Sequence, residues 1–345
     1  MKKKISNILF ITISLFIVGT FAFSDSASAA SFHHMTAHFM YKLTKLPKYV
    51  VQKTVNTHKS LYTLQVIHND IIVRRVAKTR HHKKIKFSSK HQLRLKNFGH
   101  TQTWLYAGNN SWLVGAKPVK HPSENYYWDT EIARVKYPKK RKTISKLHNL
   151  PRLTHLNYAT DMAQKDYPLL KRSEVAISPN RRWLLIGTVD TKNNGHFAIY
   201  NFKEINSKLN QAAHHSKKTV NLKYVKSVSA FHINKFFGTG PNQVNSIQGY
   251  EIDNKKAIYI SRELKPASRN SSFPREVVKI PWNATNSSDW TRYKINNSHW
   301  KKVATELEGI ELSGKNINLT VAYHKRNKSH DVIGNRVYKL KNIAN

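Results

Sequence analysis

The 345-residue sequence contains no cysteine. That excludes disulfides, a thiol nucleophile and thiolate metal ligation together. Acidic residues are also scarce, 19 Asp and Glu against 59 Lys and Arg, so catalytic carboxylate pairs have few residues to be built from. No Gly-x-Ser-x-Gly elbow or phosphate-binding Gly-rich loop occurs. Helical periodicity is equally thin. Its best instance is Lys203–Lys217, with Ile205, Leu209 and Ala212–Ala213 on one face, which reads as an insertion between strands. Past residue 30 no apolar run approaches the about 20 residues a spanning helix needs.

What is present begins with a three-part leader. Lys2, Lys3 and Lys4 precede an apolar run from Ile8 to Phe23, and Ser26-Ala-Ser-Ala-Ala30 supplies small residues. This is the grammar of a secretory signal, and it predicts cleavage after Ala29 or Ala30. The competing reading, a membrane anchor, fits the short run and the Ala/Ser end poorly. Residues 31–345 then carry a net charge of +38, with 19 His in reserve at lower pH. An exported chain of this length without disulfides relies on its core for stability.

Such a charge speaks to partners rather than to fold. In a cell it would suggest nucleic acid. Outside, it points instead to an anionic bacterial envelope, to teichoic acid and anionic lipid, with no nucleic acid in the physiological role. The clearest basic groups are Arg74, Arg75, Lys83 and Lys84, and Lys139, Lys140 and Arg141. They are the candidate polyanion-binding residues. His81-His82 and His214-His215 lie in basic company. An ordinary His titrates near 6.5, so attachment is expected to tighten as pH falls.

The remaining pattern is β-rich, with short β-branched and aromatic runs between Asn, Gly, Ser and Lys turns. A weak repeat of strand, polar turn and strand recurs. His100-Thr-Gln-Thr-Trp is followed by Trp112-Leu-Val-Gly, and Glu174-Val-Ala-Ile by Trp183-Leu-Leu-Ile-Gly. Ser246-Ile-Gln-Gly-Tyr is followed by Ala257-Ile-Tyr-Ile-Ser, and Glu308-Gly-Ile-Glu-Leu by Asn318-Leu-Thr-Val-Ala. Leu61–Ile67 into Ile71–Val76 makes a fifth copy. Radial repetition in an all-β chain predicts a β-propeller, here of five blades with long loops. The alternative is two β-sandwich domains. The predicted organisation is a signal peptide over 1–30, a partly flexible N-terminal segment over 31–60, and one propeller over 61–345. Arg336-Val-Tyr-Lys-Leu is expected to pair with an N-terminal strand and close the ring. Glu174, Ser246 and Glu308 are expected at equivalent places.

On that architecture His100, Gln102, Glu174, Gln248 and Glu308 converge on one central face, the candidate ligand site. The competing reading makes them hydrogen-bonding groups that hold the blades together. Trp282, Trp290 and Trp300 lie in polar sequence and are candidates for stacking on a glycan or meeting a membrane interface, against the competing reading of ordinary packing. His34 and His38 have the i,i+4 spacing of metal ligands but no accompanying Glu, so no metal site or cofactor is assigned. Glu306, Glu308 and Glu311 are the nearest approach to the paired carboxylates of a wall hydrolase.

Six segments carry a resemblance to a known family. They are Gly99-His-Thr-Gln-Thr-Trp, Ile132-Ala-Arg-Val, Pro151-Arg-Leu-Thr-His-Leu-Asn, Gly195-His-Phe-Ala-Ile-Tyr-Asn, Val244-Asn-Ser-Ile-Gln-Gly-Tyr and Leu319-Thr-Val-Ala-Tyr-His. In this order, between Gly99 and Arg326, they resemble the helveticin J family of large, heat-labile bacteriocins of lactobacilli and related bacteria. The resemblance implies a secreted killing protein active on related Gram-positive bacteria; that no catalytic constellation stands out points to membrane or envelope disruption rather than hydrolysis. The cationic turn Asp253-Asn-Lys-Lys256 and the high basicity depart from the family pattern and suggest tuning toward a polyanionic surface. The alternative is an adhesion or aggregation protein held on the wall by charge.

Overall fold

A computed structural model describes residues 31–78, 82–120, 127–162, 169–240, 242–263, 275–325 and 331–344. The expected leader, with Ala29 and Ala30, lies outside these residues, as does His81.

Five small sheets form a five-bladed β-propeller, as the repeat predicts. Each blade runs outward from an inner strand. Blade I starts with Val51–Asn56 and continues through Ser60–Ile67, Asp70–Ala77 and Gln92–Leu95. Blade II starts with Trp104–Gly108, followed by Ser111–Lys120, Tyr127–Lys136 and Arg152–Thr154. Leu170–Ile177 opens blade III, with Trp183–Asp190, Gly195–Asn201 and Ser229–Ile233 outside it. Blade IV comprises Ile247–Ile252, Ile258–Arg262, Glu276–Ile280 and Thr291–Asn296. Blade V comprises Ala304–Ser313, Asn316–His324 and Val332–Leu340, and its fourth strand is His38–Thr44.

Local sequence explains the hairpins. His68-Asn69 and Asn109-Asn110 all take positive φ, between 48° and 65°, which is the backbone of a two-residue turn whose twist matches the flanking strands. Strand alternation then distributes the apolar runs over both faces. Leu184 and Ile186 pack toward blade II, whereas Trp183, Leu185 and Val189 pack toward blade IV. Likewise Ile258 and Ile260 face blade III, and Ala257 and Tyr259 face blade V. The result is five hydrophobic clusters, one in each seam between blades. A strand buried on both faces reads as a continuous apolar run, which is why Trp183-Leu-Leu-Ile stands out in the sequence.

The helix forms over Phe202–Ala212, where Asn201 caps it by accepting the Glu204 N–H at 3.2 Å. Phe202, Ile205, Leu209 and Ala212 seat it against the blade II–III seam. The stretch 213–217 completes a turn outside the helix.

Residues 31–60, expected as a separate segment, are part of the propeller. They supply the inner strand of blade I, the fourth strand of blade V and an outer strand of blade IV, Ser31–Thr36. Ring closure follows the expected pairing, with His38 opposite Lys339 and Leu43 opposite Asn335. Other outer edges take short strands from neighbours, each added in parallel. Lys84–Lys86 from blade I extends blade V, Lys142–Ile144 extends blade I, and Thr219–Asn221 extends blade II. Four of the five blades therefore carry a fifth strand.

The expected equivalence of Glu174, Ser246 and Glu308 does not hold. Glu174 lies within its inner strand, Ser246 lies one residue before its own, and Glu308 sits in an irregularity between Leu307 and Ile310. A second register shift, between Ile247 and Gly249, offsets blade IV. An extra residue on one strand re-aims the side chains around it.

Candidate functional site

The starting ends of the inner strands meet around the central axis, and their polar side chains form one connected network. Gln52 of blade I accepts from His100 Nε2 at 3.0 Å and from Gln102 Nε2 at 3.4 Å. Gln102 Nε2 also donates to Gln248 Oε1 of blade IV at 2.5 Å. Gln248 in turn reaches Glu306 Oε1 of blade V at 3.4 Å, and Glu306 Oε2 lies 3.3 Å from His324. Blade III contributes Arg172 and Glu174. Arg172 donates to Gln102 Oε1 at 3.0 Å and to the Ile247 carbonyl at 3.1 Å, and lies 3.4 Å from Glu174. Glu174 accepts from the Gln102 N–H at 3.1 Å and from the Thr103 hydroxyl at 2.5 Å.

His100, Gln102, Glu174 and Gln248 are thus brought together as expected, and Glu306, not Glu308, takes the fifth place. Glu308 is displaced by the irregularity in its strand, and its carbonyl accepts from Ser261 at 2.8 Å. Gln52 and Arg172 were missed. Arg172 was open to detection, since it lies two residues before Glu174 on the same strand and so on the same face. Its guanidinium also stacks 3.8 Å from the centre of the Trp128 ring, which sits 4.5 Å from that of His100.

Burial governs the electrostatics here. Gln102 and Glu174 are each only 2% exposed. Desolvation raises the Glu174 carboxyl above its usual range, opposed first by Arg172 and then by the Thr103 and Gln102 bonds. Asp129, fully enclosed on the third strand of blade II, is pushed well above the carboxylate range by burial and by Glu174, against the pull of the Thr101 hydroxyl and Arg172. Below this network a second buried group spans three blades. Lys53 Nζ lies 2.6 Å from Glu251 Oε1, and Glu311 accepts the Asn56 N–H at 2.9 Å and Asn318 Nδ2 at 3.0 Å. Burial pushes the Glu311 carboxyl up to about 7.

The outer surface has the opposite character. Of the 16 Asp and Glu among the described residues, 11 are buried and Glu311 is half-buried. Exposed carboxylates are Asp161, Glu204, Asp289 and Asp331 alone, and three of these face a base: His232 at 2.9 Å, Lys208 at 3.5 Å and Lys325 at 3.1 Å. Most carboxylates among the described residues are drawn into the ring, whereas most Lys and Arg stay outside it, Lys53, Arg74 and Arg172 being among the buried exceptions.

Of the basic residues singled out in the sequence, Lys83, Lys84, Lys139, Lys140 and Arg141 are exposed. Lys140 and Arg141 line a shallow depression with Ser89, Lys90 and His91, so loops of blades I and II meet there. Arg74 instead is buried, its guanidinium lowered by desolvation and bonded to Gln65 at 3.0 Å. Arg75 is half-buried over the Tyr137 ring at 5.4 Å.

The three tryptophans of the polar stretches are packing residues. Trp290 and Trp300 are 1% and 3% exposed, with ring N–H groups donating to the Ala284 carbonyl at 3.0 Å and the Tyr323 hydroxyl at 2.8 Å. Trp282 is half-buried against Phe231 and donates to Ser229 at 3.0 Å. Short 3-10 turns at Ser287–Asp289 and Ser298–Lys302 fold the latter parts of these stretches inward, where no strand periodicity would show it. His34 and His38 lie on separate strands, and no group of three or more His, Asp or Glu suited to a metal occurs among the described residues. No described helix is long and apolar enough to cross a membrane.

Solved structures of similar shape include a thermostable family-43 glycoside hydrolase, at 8% identity, TM-score 0.43, with 87% of this chain and 92% of that one covered. An α-L-arabinofuranosidase from Podospora anserina matches at 7% identity and TM-score 0.43, covering 91% and 98%. Sequence comparison is more specific. Bacteriocin helveticin-J of Lactobacillus helveticus is 34% identical over 269 residues, 70% of this chain and 78% of the relative. The family model described as bacteriocin helveticin-J matches residues 31–344, the whole described propeller, and the chain belongs to the helveticin J family.

Proposed function

We propose that the protein is a secreted cationic bacteriocin that attaches to the anionic envelope of related Gram-positive bacteria and injures it without hydrolysing it. The observation that carries this reading is the segregation of charge. Residues 31–345, at net +38, bury most of their described carboxylates and so present a surface more uniformly positive than the composition implies. Teichoic acid and anionic lipid headgroups are the complementary polyanions outside such a cell.

Hydrolysis is disfavoured by the same arrangement. A glycosidase needs two carboxyl groups facing the sugar, about 5–10 Å apart. The central carboxylates Glu174, Glu306 and Asp129 are all less than 10% exposed. Glu174 and Glu306 are bonded to neighbouring blades.

The test is a viability assay on a panel of related strains, run with the mature protein while salt rises from about 0.1 M to about 1 M. Over that range the screening length falls from about 10 Å to about 3 Å. Binding and killing should fall together, and removal of teichoic acid should abolish most binding. The bound fraction should be larger at about pH 5 than at about pH 7.5, as exposed histidines gain charge. Salt-independent binding would argue for an uncharged receptor. Clumping without death would favour the adhesion reading, and released wall fragments would favour hydrolysis.

A further inference from the structure

At the seam of blades II and III lies a pocket of about 510 Å³, away from the polar network on the axis. That volume is in the range of small-ligand sites. Its lining divides by chemistry. Val119, Leu156, Leu169 and Leu170 supply apolar wall. Leu169 is 76% exposed and Val119 is 47% exposed, so two aliphatic side chains that line one pocket are both left open to solvent.

The other side of the lining is basic. Lys117 and Lys120 are exposed at the border of the pocket, with His155 beside them, against the single carboxylate of Glu131; Lys171 is buried, its ammonium 4.7 Å from the centre of the Phe237 ring. Glu131 is already engaged by Lys117 at 2.8 Å and by Arg152 at 2.8 Å. A second depression shares Lys117 and Glu131 and adds Lys146, His148 and Arg152, so positive charge continues along the rim. Two of the lining residues, Lys117 and His155, hold positive φ at 56° and 58°, a conformation that non-glycine side chains rarely adopt.

An apolar cleft with a lysine rim matches a molecule that is apolar at one end and anionic at the other. A sugar would meet too much hydrocarbon there, and a free phosphate would leave the aliphatic wall in water. We infer that this pocket binds an anionic membrane lipid, its phosphate against the lysine rim and the first part of an acyl chain against Val119, Leu169 and Leu170. The inference rests on the proposed envelope attachment and specifies which envelope component is taken up individually. Charge over the whole surface would bring the protein to the envelope, and the pocket would then extract or seat one lipid.

The test uses the mature protein and dihexanoyl phosphatidylglycerol below its micelle concentration, followed by calorimetry. Dihexanoyl phosphatidylcholine and glycerol 3-phosphate serve as the neutral-lipid and headgroup-only probes. The anionic lipid should bind saturably and about tenfold more tightly than either. Leu169→Ser and Lys120→Gln change exposed side chains and should leave the melting temperature unchanged while each weakens that binding several-fold. Equal affinity for the neutral lipid, equal affinity for glycerol 3-phosphate, or undiminished binding by both variants would each overturn the inference. Salt-sensitive binding of L169S to whole cells separates the two levels. Its persistence without lipid capture by the parent protein would sink the pocket and leave envelope attachment standing. Lipid capture with salt-insensitive cell binding would do the reverse.

Discussion

Replacing Lys53 by Met should expose how the ring holds its buried charge. Lys53 sits on the inner strand of blade I at 1% exposure, and its ammonium lies 2.6 Å from the Glu251 carboxylate of blade IV. Glu251 is itself 5% exposed, and Glu311 of blade V is close enough for its own carboxyl to feel both groups. Met keeps most of the apolar stem and removes the charge. Stranding one partner of a buried ion pair costs about 3–5 kcal/mol. The stranded carboxylate can escape part of that cost by taking a proton, since burial already raises it and Lys53 is the main group opposing the shift. Its folded-state affinity for protons then exceeds the unfolded one, so the destabilisation should be small near pH 5 and grow as pH rises, by up to about 1.4 kcal/mol per unit. Urea midpoints of the parent and K53M at pH 5 and pH 8 measure this directly. The double variant K53M/E251L removes both charges and should recover most of the loss at pH 8. A K53M midpoint equal to the parent's at pH 8, or a double variant that falls by the sum of the two single losses, would refute the account.

Four further outcomes follow from the same geometry. Glu311 is half-buried with its carboxyl pushed to about 7, above the ordinary 4.5, so its contribution is present below pH 4.5 and lost as pH rises to 7. The loss is at most about 3 kcal/mol and is reduced by solvent access; melting curves of Glu311→Gln should show a flatter profile over that window, and an unchanged slope would exclude this group. At Gly309 an added Cβ would lie 2.5 Å from the Gln52 carbonyl and 2.8 Å from the Lys53 side chain, so G309A should lower the unfolding free energy by about 1–3 kcal/mol, read from urea titration, while full stability would mean that blades V and I can part there. Removing residues 31–36 takes away only a largely exposed edge strand and should leave the protein folded by circular dichroism, whereas Leu43→Asp, at a 4% exposed position in the closing strand, should cost several kcal/mol.

The architecture was legible because hairpins leave strong local marks. Asn109-Asn110 fixes a turn, and Trp183-Leu-Leu-Ile is a strand buried on both faces. The outer strands left no such mark. Lys84–Lys86 is three residues with one buried side chain, and its strand character comes from pairing with Lys42–Thr44, 42 positions earlier. The same limit hid the N-terminal segment, whose Ser31–Thr36 is mostly exposed and is ordered by its parallel partner. At the site, Gln102, Glu174 and Gln248 were found because the repeat placed them. Lys53 and Arg172 escaped because a buried cation looks like a surface one in a chain this basic. Glu308 was taken for Glu306 because a register irregularity carries no residue-type signature. Ordinary packing, one of the two readings open for Trp290 and Trp300, is the one found, and it depends on 3-10 turns that composition does not reveal.

The seam between the first strands and the last one sets a timetable for folding. His38–Thr44 pairs with Val332–Leu340, contacts nearly 300 residues apart, and a chain made from its N-terminus holds the first partner long before the second exists. Contacts of such separation form late and slow a fold down. Until they do, blade V lacks its fourth strand, and the open backbone edge of Val332–Leu340 is a template for pairing with another chain. Dilution, and not only temperature, should therefore govern the yield when the denatured protein is refolded.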